Sequence, residues 1–249
     1  MITRLSDFIL EQNNYISFIS LEETLQMISN NDFYVNHDYP IFRKVNQGGT
    51  QFHNRYSDFN IVDPTKINRV SPNASFNYVN LLVSNLPSWK DYPKRNNSLI
   101  CGNYERTWGH FGYSKKELFL VMPHKNSNIG IAESGDFWEQ FVFGHYNSLN
   151  DLNSYLNRML HDDSDWNTVK KLLKQIDINV DNFDENIPDF NSVEKLDILL
   201  NPNKHRLKHL PYNEDFQHEI NDDDNTIEYW TDSESLMIRY DKAVELGLV

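Results

Sequence analysis

The stretch from Tyr92 to Gly112, YPKRNNSLICGNYERTWGHFG, places a basic approach, a short apolar strand and a helix-entering turn in a row. Ser98 opens the strand core Ser98-Leu99-Ile100-Cys101, and Arg95 stands three residues before it. The core is too short and too apolar for a surface helix. Gly102 and Asn103 stop it, which leaves Tyr104 to Phe111 for about two helical turns. A guanidinium and a hydroxyl at the mouth of a buried strand have two uses. They can satisfy local backbone groups, or they can form the floor of a nucleotide pocket. Two further pieces carry similar chemistry: Arg43 among the apolar residues of Tyr39–Val45, and Glu228 in Ile227-Glu228-Tyr229-Trp230-Thr231. Each also has a plain structural reading, as an edge-strand arginine reaching water and as the solvent face of an alternating strand.

The elements that would position these residues can be read from periodicity. Residues 1–30 read as helical, with Leu21, Leu25 and Ile28 on one stripe and Ser20 with Glu23 as a capping box. Tyr39–Val45 reads as a strand, Gly48-Gly49 as a loop and residues 52–70 as irregular. Phe76–Ser84 fits strand or helix, and Leu86-Pro87-Ser88-Trp89 fits a turn. Leu118–Met122 and Ile129–Ile131 read as strands. From about 140 to 212 the pattern turns helical. Leu149, Leu152, Leu156, Met159 and Leu160 mark one helix, Trp166–Ile176 a second and Val193–Leu200 a third, together an inserted α lobe. Asn213–Asn225 is acidic and aperiodic. Ile227–Thr231 and Leu236–Tyr240 then read as a hairpin around Asp232-Ser233.

Composition narrows the function classes. The 249 residues carry a formal net charge of −13, which argues against broad phosphate-driven DNA binding. No apolar run approaches the ~20 residues of a membrane span, and Cys101 is the single cysteine, which together suggest a cytoplasmic protein. Walker A, GxGxxG and CxxC motifs are missing, and His205 and His209, four apart among basic residues, read as a solvated helix end rather than a metal site.

Arginine on a short strand, a hydroxyl-bearing strand and a late glutamate resemble, in that order, the Arg–Ser–Glu class of ADP-ribosyltransferases. The middle piece is similar to a phage-encoded and bacterial group of that class. In that group a segment R-x-S…N-Y-Y-x-L…W…Y-P-K-R-S-x-S-I-I-C is typical. Here it stands as Arg69-Val70-Ser71, Asn77-Tyr78-Val79-Asn80-Leu81, Trp89 and Tyr92–Cys101, and the likeness runs on through Phe111-Gly112 and Ile129-Gly130-Ile131 to Phe137-Trp138.

The resemblance implies a single α/β domain over 1–249, with a split, mostly antiparallel sheet, flanking helices and the helical insertion. It implies NAD as substrate and ADP-ribose transfer to a protein or nucleic-acid acceptor in a host or bacterial cytoplasm. Glu228, Arg43 and Ser98 would be catalytic, lining one pocket. Arg43, Arg69, Ser71, Tyr78, Arg95, Ser98 and Phe111 would bind NAD. Cleavage of the nicotinamide–ribose bond passes through an oxocarbenium-like state, which a carboxylate stabilises while arginine holds the pyrophosphate. Glu234 is the rival carboxylate. The chain departs from the family at Cys101-Gly102-Asn103, which replaces a Ser/Thr pair, and at Thr226, where arginine-modifying members carry Glu or Gln. Two other readings follow: a catalytically inactive acidic protein that docks a basic partner, and an NAD glycohydrolase.

Overall fold

In the computed structural model, residues 15–45, 56–66, 78–103, 117–133, 135–141, 192–216 and 227–249 are described. The strands are β1 (Ile16–Phe18), β2 (Ile41–Lys44), β3 (Phe59–Val62), β4 (Leu99–Gly102), β5 (Leu118–Pro123), β6 (Asn128–Ala132), β7 (Lys208–Pro211), β8 (Glu228–Thr231) and β9 (Ser235–Arg239). The helices are α1 (Leu21–Ser29), α2 (Tyr78–Val83), α3 (Ser192–Leu199) and α4 (Tyr240–Glu245). The fold is mixed α/β, dominated by an antiparallel sheet in the order β1-β3-β9-β5-β2-β4-β8-β6-β7.

This sheet is split. β2 meets β4 at one registered pair, Phe42 with Gly102, whereas the other junctions carry runs of consecutive pairs. Beyond that pair the ladder is replaced by a side chain: Arg43 Nη1 donates to the Ile100 carbonyl at 2.6 Å. On either side of this junction, β1-β3-β9-β5-β2 and β4-β8-β6-β7 share one inner core. Ile41, Val62, Phe119, Val121 and Met237 of the first half pack with Leu99, Cys101, Ile129, Ile131 and Tyr229 of the second. Strand alternation sends the intervening residues outward. On the first half these are Phe42, Leu118, Leu120, Met122, Leu236 and Ile238, covered by Met27 and Ile28 of α1 and Ala243 of α4. On the second, Ala132 and Trp230 pack under Val79, Leu82 and Val83 of α2, Leu196 and Leu199 of α3, and Phe137 and Phe141.

Several sequence expectations change. β8 and β9 do not form a hairpin. β8 pairs with β4 and β6, while β9 lies between β3 and β5. The link Asp232-Ser233-Glu234 therefore crosses from one half-sheet to the other. It is moored by the Lys94 amide donating to Asp232 Oδ2 at 2.9 Å and the Ser233 amide donating to Thr231 Oγ1 at 3.1 Å. Residues 59–62, read as irregular, form β3, because Ile61 and Val62 divide between the outer and inner cores. The capping box of α1 is present, but Ile16–Phe18 before it is a strand, and Leu21 and Leu25 stay exposed while Thr24 is buried. Phe76–Ser84 resolves in favour of helix at 78–83, and Tyr240, read as strand, opens α4. The helix expected at 193–200 forms as α3, but 208–211 is a strand, so the segment to 212 is not wholly helical. The helices expected within 149–176 and the Gly48-Gly49 loop lie outside the described residues. Among the described residues no helix is long and apolar enough to cross a membrane.

His205 is buried in a 3-10 turn rather than solvated. Its Nε2 lies 2.8 Å from the Leu199 carbonyl and its ring 4.4 Å from that of Phe141. Burial pushes its pKa below the usual histidine value. The unfolded chain therefore takes up this proton first as pH falls through about 6.5, and the stability that neutral His205 contributes above that pH is lost below it. The denaturation midpoint of the wild type should drop between pH 7.5 and 5.5 by more than that of His205→Gln. Parallel pH dependences in urea titrations would reject this assignment.

Candidate functional site

Glu228 opens β8, with Gly102 of β4 and Ala132 of β6 as its cross-strand neighbours. Its carboxylate is 2% exposed and is met by Arg95 of the 3-10 turn Arg95–Asn97, with Nη2 to Oε1 at 2.5 Å. The guanidinium carbon stands 3.8 Å from the Phe137 ring centroid and 5.2 Å from that of Trp230. A cation over aromatic faces in a site removed from water gains more than one at the surface. The walls extend outward through Tyr92, whose ring is stacked on Trp230 at 6.3 Å and whose hydroxyl donates to the Leu207 carbonyl. Burial pushes the Tyr92 phenol up to about 12. Trp230 Nε1 donates to the Pro93 carbonyl at 3.1 Å, which fixes the indole beside Arg95.

The three side chains expected to be catalytic do not converge. Cross-strand partners share a face, so Phe42, Gly102 and Glu228 point outward as one row. Arg43, one residue on, takes the inward parity of Ile41, and its guanidinium is spent on the Ile100 carbonyl at the split. Arg43 and Glu228 thus project to opposite faces, although their strands β2, β4 and β8 are consecutive in the sheet. Ser98 is fully buried and donates to the Lys94 carbonyl at 2.8 Å, closing the turn that carries Arg95. Among the described residues, Arg95 is the member of the proposed NAD-binding set that an ion pair brings to Glu228. Tyr78 opens α2, and Arg69, Ser71 and Phe111 lie outside the described residues. The rival Glu234 is 3.5 Å from His124 Nε2 and half exposed, just past the Ser235–Pro123 pair. That pair is four residues along β5 from Phe119, the partner of Arg43, or ~13 Å at a strand's rise.

Sequence reasoning missed the role of Phe137 and Trp230 as the walls around the guanidinium. The signal that could have found Trp230 is its position two residues after Glu228 on an alternating strand, hence on the same face. Phe137 left no such signal, because it comes from a segment with no periodicity. Among the described residues no group of three or more His, Cys, Asp or Glu side chains could hold a metal ion. Compared with known proteins, the chain matches no family model, no curated protein and no solved structure.

Proposed function

We propose that this protein transfers ADP-ribose from NAD to a protein or nucleic-acid acceptor, with Glu228 as the carboxylate that stabilises the oxocarbenium-like state and Arg95 as its positioning partner. Arg43 and Ser98, bonded to the Ile100 and Lys94 carbonyls, take no part in it. What supports this reading is the Arg95–Glu228 pair, with Arg95 set against Phe137 and Trp230, within the segments that resemble the transferases. Gly102 and Ala132 flank the carboxylate, so the sheet presents no bulky neighbour to a ribose there. In the reaction the bond from ribose C1′ to the nicotinamide nitrogen breaks and its electron pair leaves with nicotinamide. C1′ then bonds to the acceptor's nucleophilic atom, whose proton passes to water. Glu228 accepts a hydrogen bond from the ribose and offsets the positive charge at C1′. On entry of NAD the guanidinium exchanges the carboxylate for the pyrophosphate, which its fork of donors fits.

One observation favours the alternative of an inactive acidic binding protein: the carboxylate and guanidinium are both buried and already paired with each other. Nicotinamide release and labelled ADP-ribose transfer into a cell lysate separate the cases. Glu228→Gln should lower both by about two to three orders of magnitude, and Glu234→Gln should leave them near wild type. Equal turnover by wild type and Glu228→Gln would remove the residue from the mechanism. Nicotinamide release without labelled acceptor would make water the acceptor, and no turnover at all would favour the binding protein.

A further inference from the structure

The edge of the first half-sheet carries features that the chemistry at Glu228 does not use. Among the described residues β1 is the terminal strand and pairs with β3 alone. The flanking bonds, Asp63 amide to Tyr15 carbonyl and Ile19 amide to Phe59 carbonyl, fix which residues face β3. By the antiparallel alternation Tyr15, Ser17 and Ile19 turn their backbone groups inward, and Ile16 and Phe18 turn theirs to the open edge. Large apolar side chains adjoin that edge. Phe18 is 60% exposed, and Leu21 and Leu25, one turn apart on α1, are 45% and 46% exposed. The apolar stripe of α1 is thus wider than the face it buries, which is Thr24 with Met27 and Ile28 against the outer core. Natural edge strands are blunted by shortness, lysine, proline or a bulge; β1, with sequence Ile-Ser-Phe, is short but carries no lysine or proline.

Charge identifies the kind of partner. The first turn of α1 carries the carboxylates Glu22 and Glu23, and from Tyr15 to Phe42 the sequence has no lysine or arginine. Two copies meeting at this edge would bring Glu22 and Glu23 of each together, which disfavours self-pairing.

We propose that β1 and α1 form a docking edge for an extended, cationic segment of another protein. Its backbone adds a strand beside Ile16–Phe18, its alternate apolar side chains cover Phe18 on one side and Leu21 and Leu25 on the other, and its flanking lysines or arginines face Glu22 and its neighbours. The inference holds whether or not the protein turns over NAD.

The test uses the full chain and two synthetic peptides with the same valine–isoleucine centre, one with lysines at both ends and one with glutamates. The lysine peptide should bind saturably, more weakly at high salt, and at least about tenfold more tightly than the glutamate peptide. Leu25→Lys, on an exposed helix position, should weaken the lysine peptide by about tenfold while circular dichroism and melting stay as in wild type. Phe18→Pro removes the outward amide without touching a β1–β3 bond and should do the same. Equal binding of both peptides, no binding of either, or unchanged affinity in Leu25→Lys would overturn the proposal. A concentration-dependent dimer that Leu25→Lys dissociates would replace it with self-association.

Discussion

Arg95→Met should destabilise the fold by ~3–5 kcal/mol, because it takes from the buried Glu228 carboxylate the guanidinium that pairs with it over Phe137 and Trp230. The cost comes from keeping a carboxylate buried after this ion pair is lost rather than from the worth of the pair. Removing both charges should therefore recover much of it: Arg95→Met with Glu228→Gln is expected to lie closer to wild type than Arg95→Met alone. Urea titration of wild type, both single variants and the double variant gives the coupling directly. Additive losses would mean that the two side chains do not act as a pair. The same cycle bears on function, since a transferase carboxylate must tolerate losing its arginine during turnover, whereas a purely structural pair need not.

The second large effect is expected at Gly130. A β-carbon at this position on β6 would overlap the indole of Trp230, its cross-strand neighbour on β8. That indole is fully buried, wedged between Tyr92 and Phe137, and hydrogen-bonded to Pro93. It has no room to retreat, so Gly130→Ala should cost ~1–3 kcal/mol or more through overpacking. Combining it with Trp230→Leu, which opens space beside the new methyl, should make the pair of substitutions less harmful than the sum of the two. A Gly130→Ala protein with wild-type stability and an unshifted tryptophan fluorescence spectrum would contradict the close approach. The expected shift has a functional reading as well, because the indole it moves is one of the two faces beneath Arg95.

Most strand positions were legible because the apolar runs are short and bounded. Leu118–Pro123 is buried throughout, and Ile129–Ile131 and Leu99–Cys101 are interrupted only by Ile100 and Gly130 facing outward. α1 announced itself by Ser20 and Glu23. β1 and β7 fall in segments read as helical, and three further things were not legible. β3 has only four residues, and Asn60 and Asp58 beside it suggest a loop until Asn60 is seen bonding the Ser57 and Met237 carbonyls from a buried position. The β8–β9 connection carries a hairpin's sequence, yet pairing is decided by which strands the two inner faces can cover, a tertiary matter. The partner of Glu228 lies 133 residues away in sequence, and no periodicity links a glutamate on a strand to an arginine in a turn. The expected convergence failed for a reason local to each residue. Arg43 and Glu228 sit on neighbouring parts of the sheet, but a one-residue change of parity sends a side chain to the other face.

The crossing link also sets an order of assembly. β9 fills the middle of the first half-sheet, between β3 and β5, yet it follows β5 only after residues 124–234 have been made. During synthesis the N-terminal half therefore waits with the edges of β3 and β5 unpaired, and neither the inner nor the outer core can close on the ribosome until the chain has passed Arg239. Such a high contact order predicts slow folding, and a nascent chain halted before Ser235 should depend on chaperones more than the finished protein does.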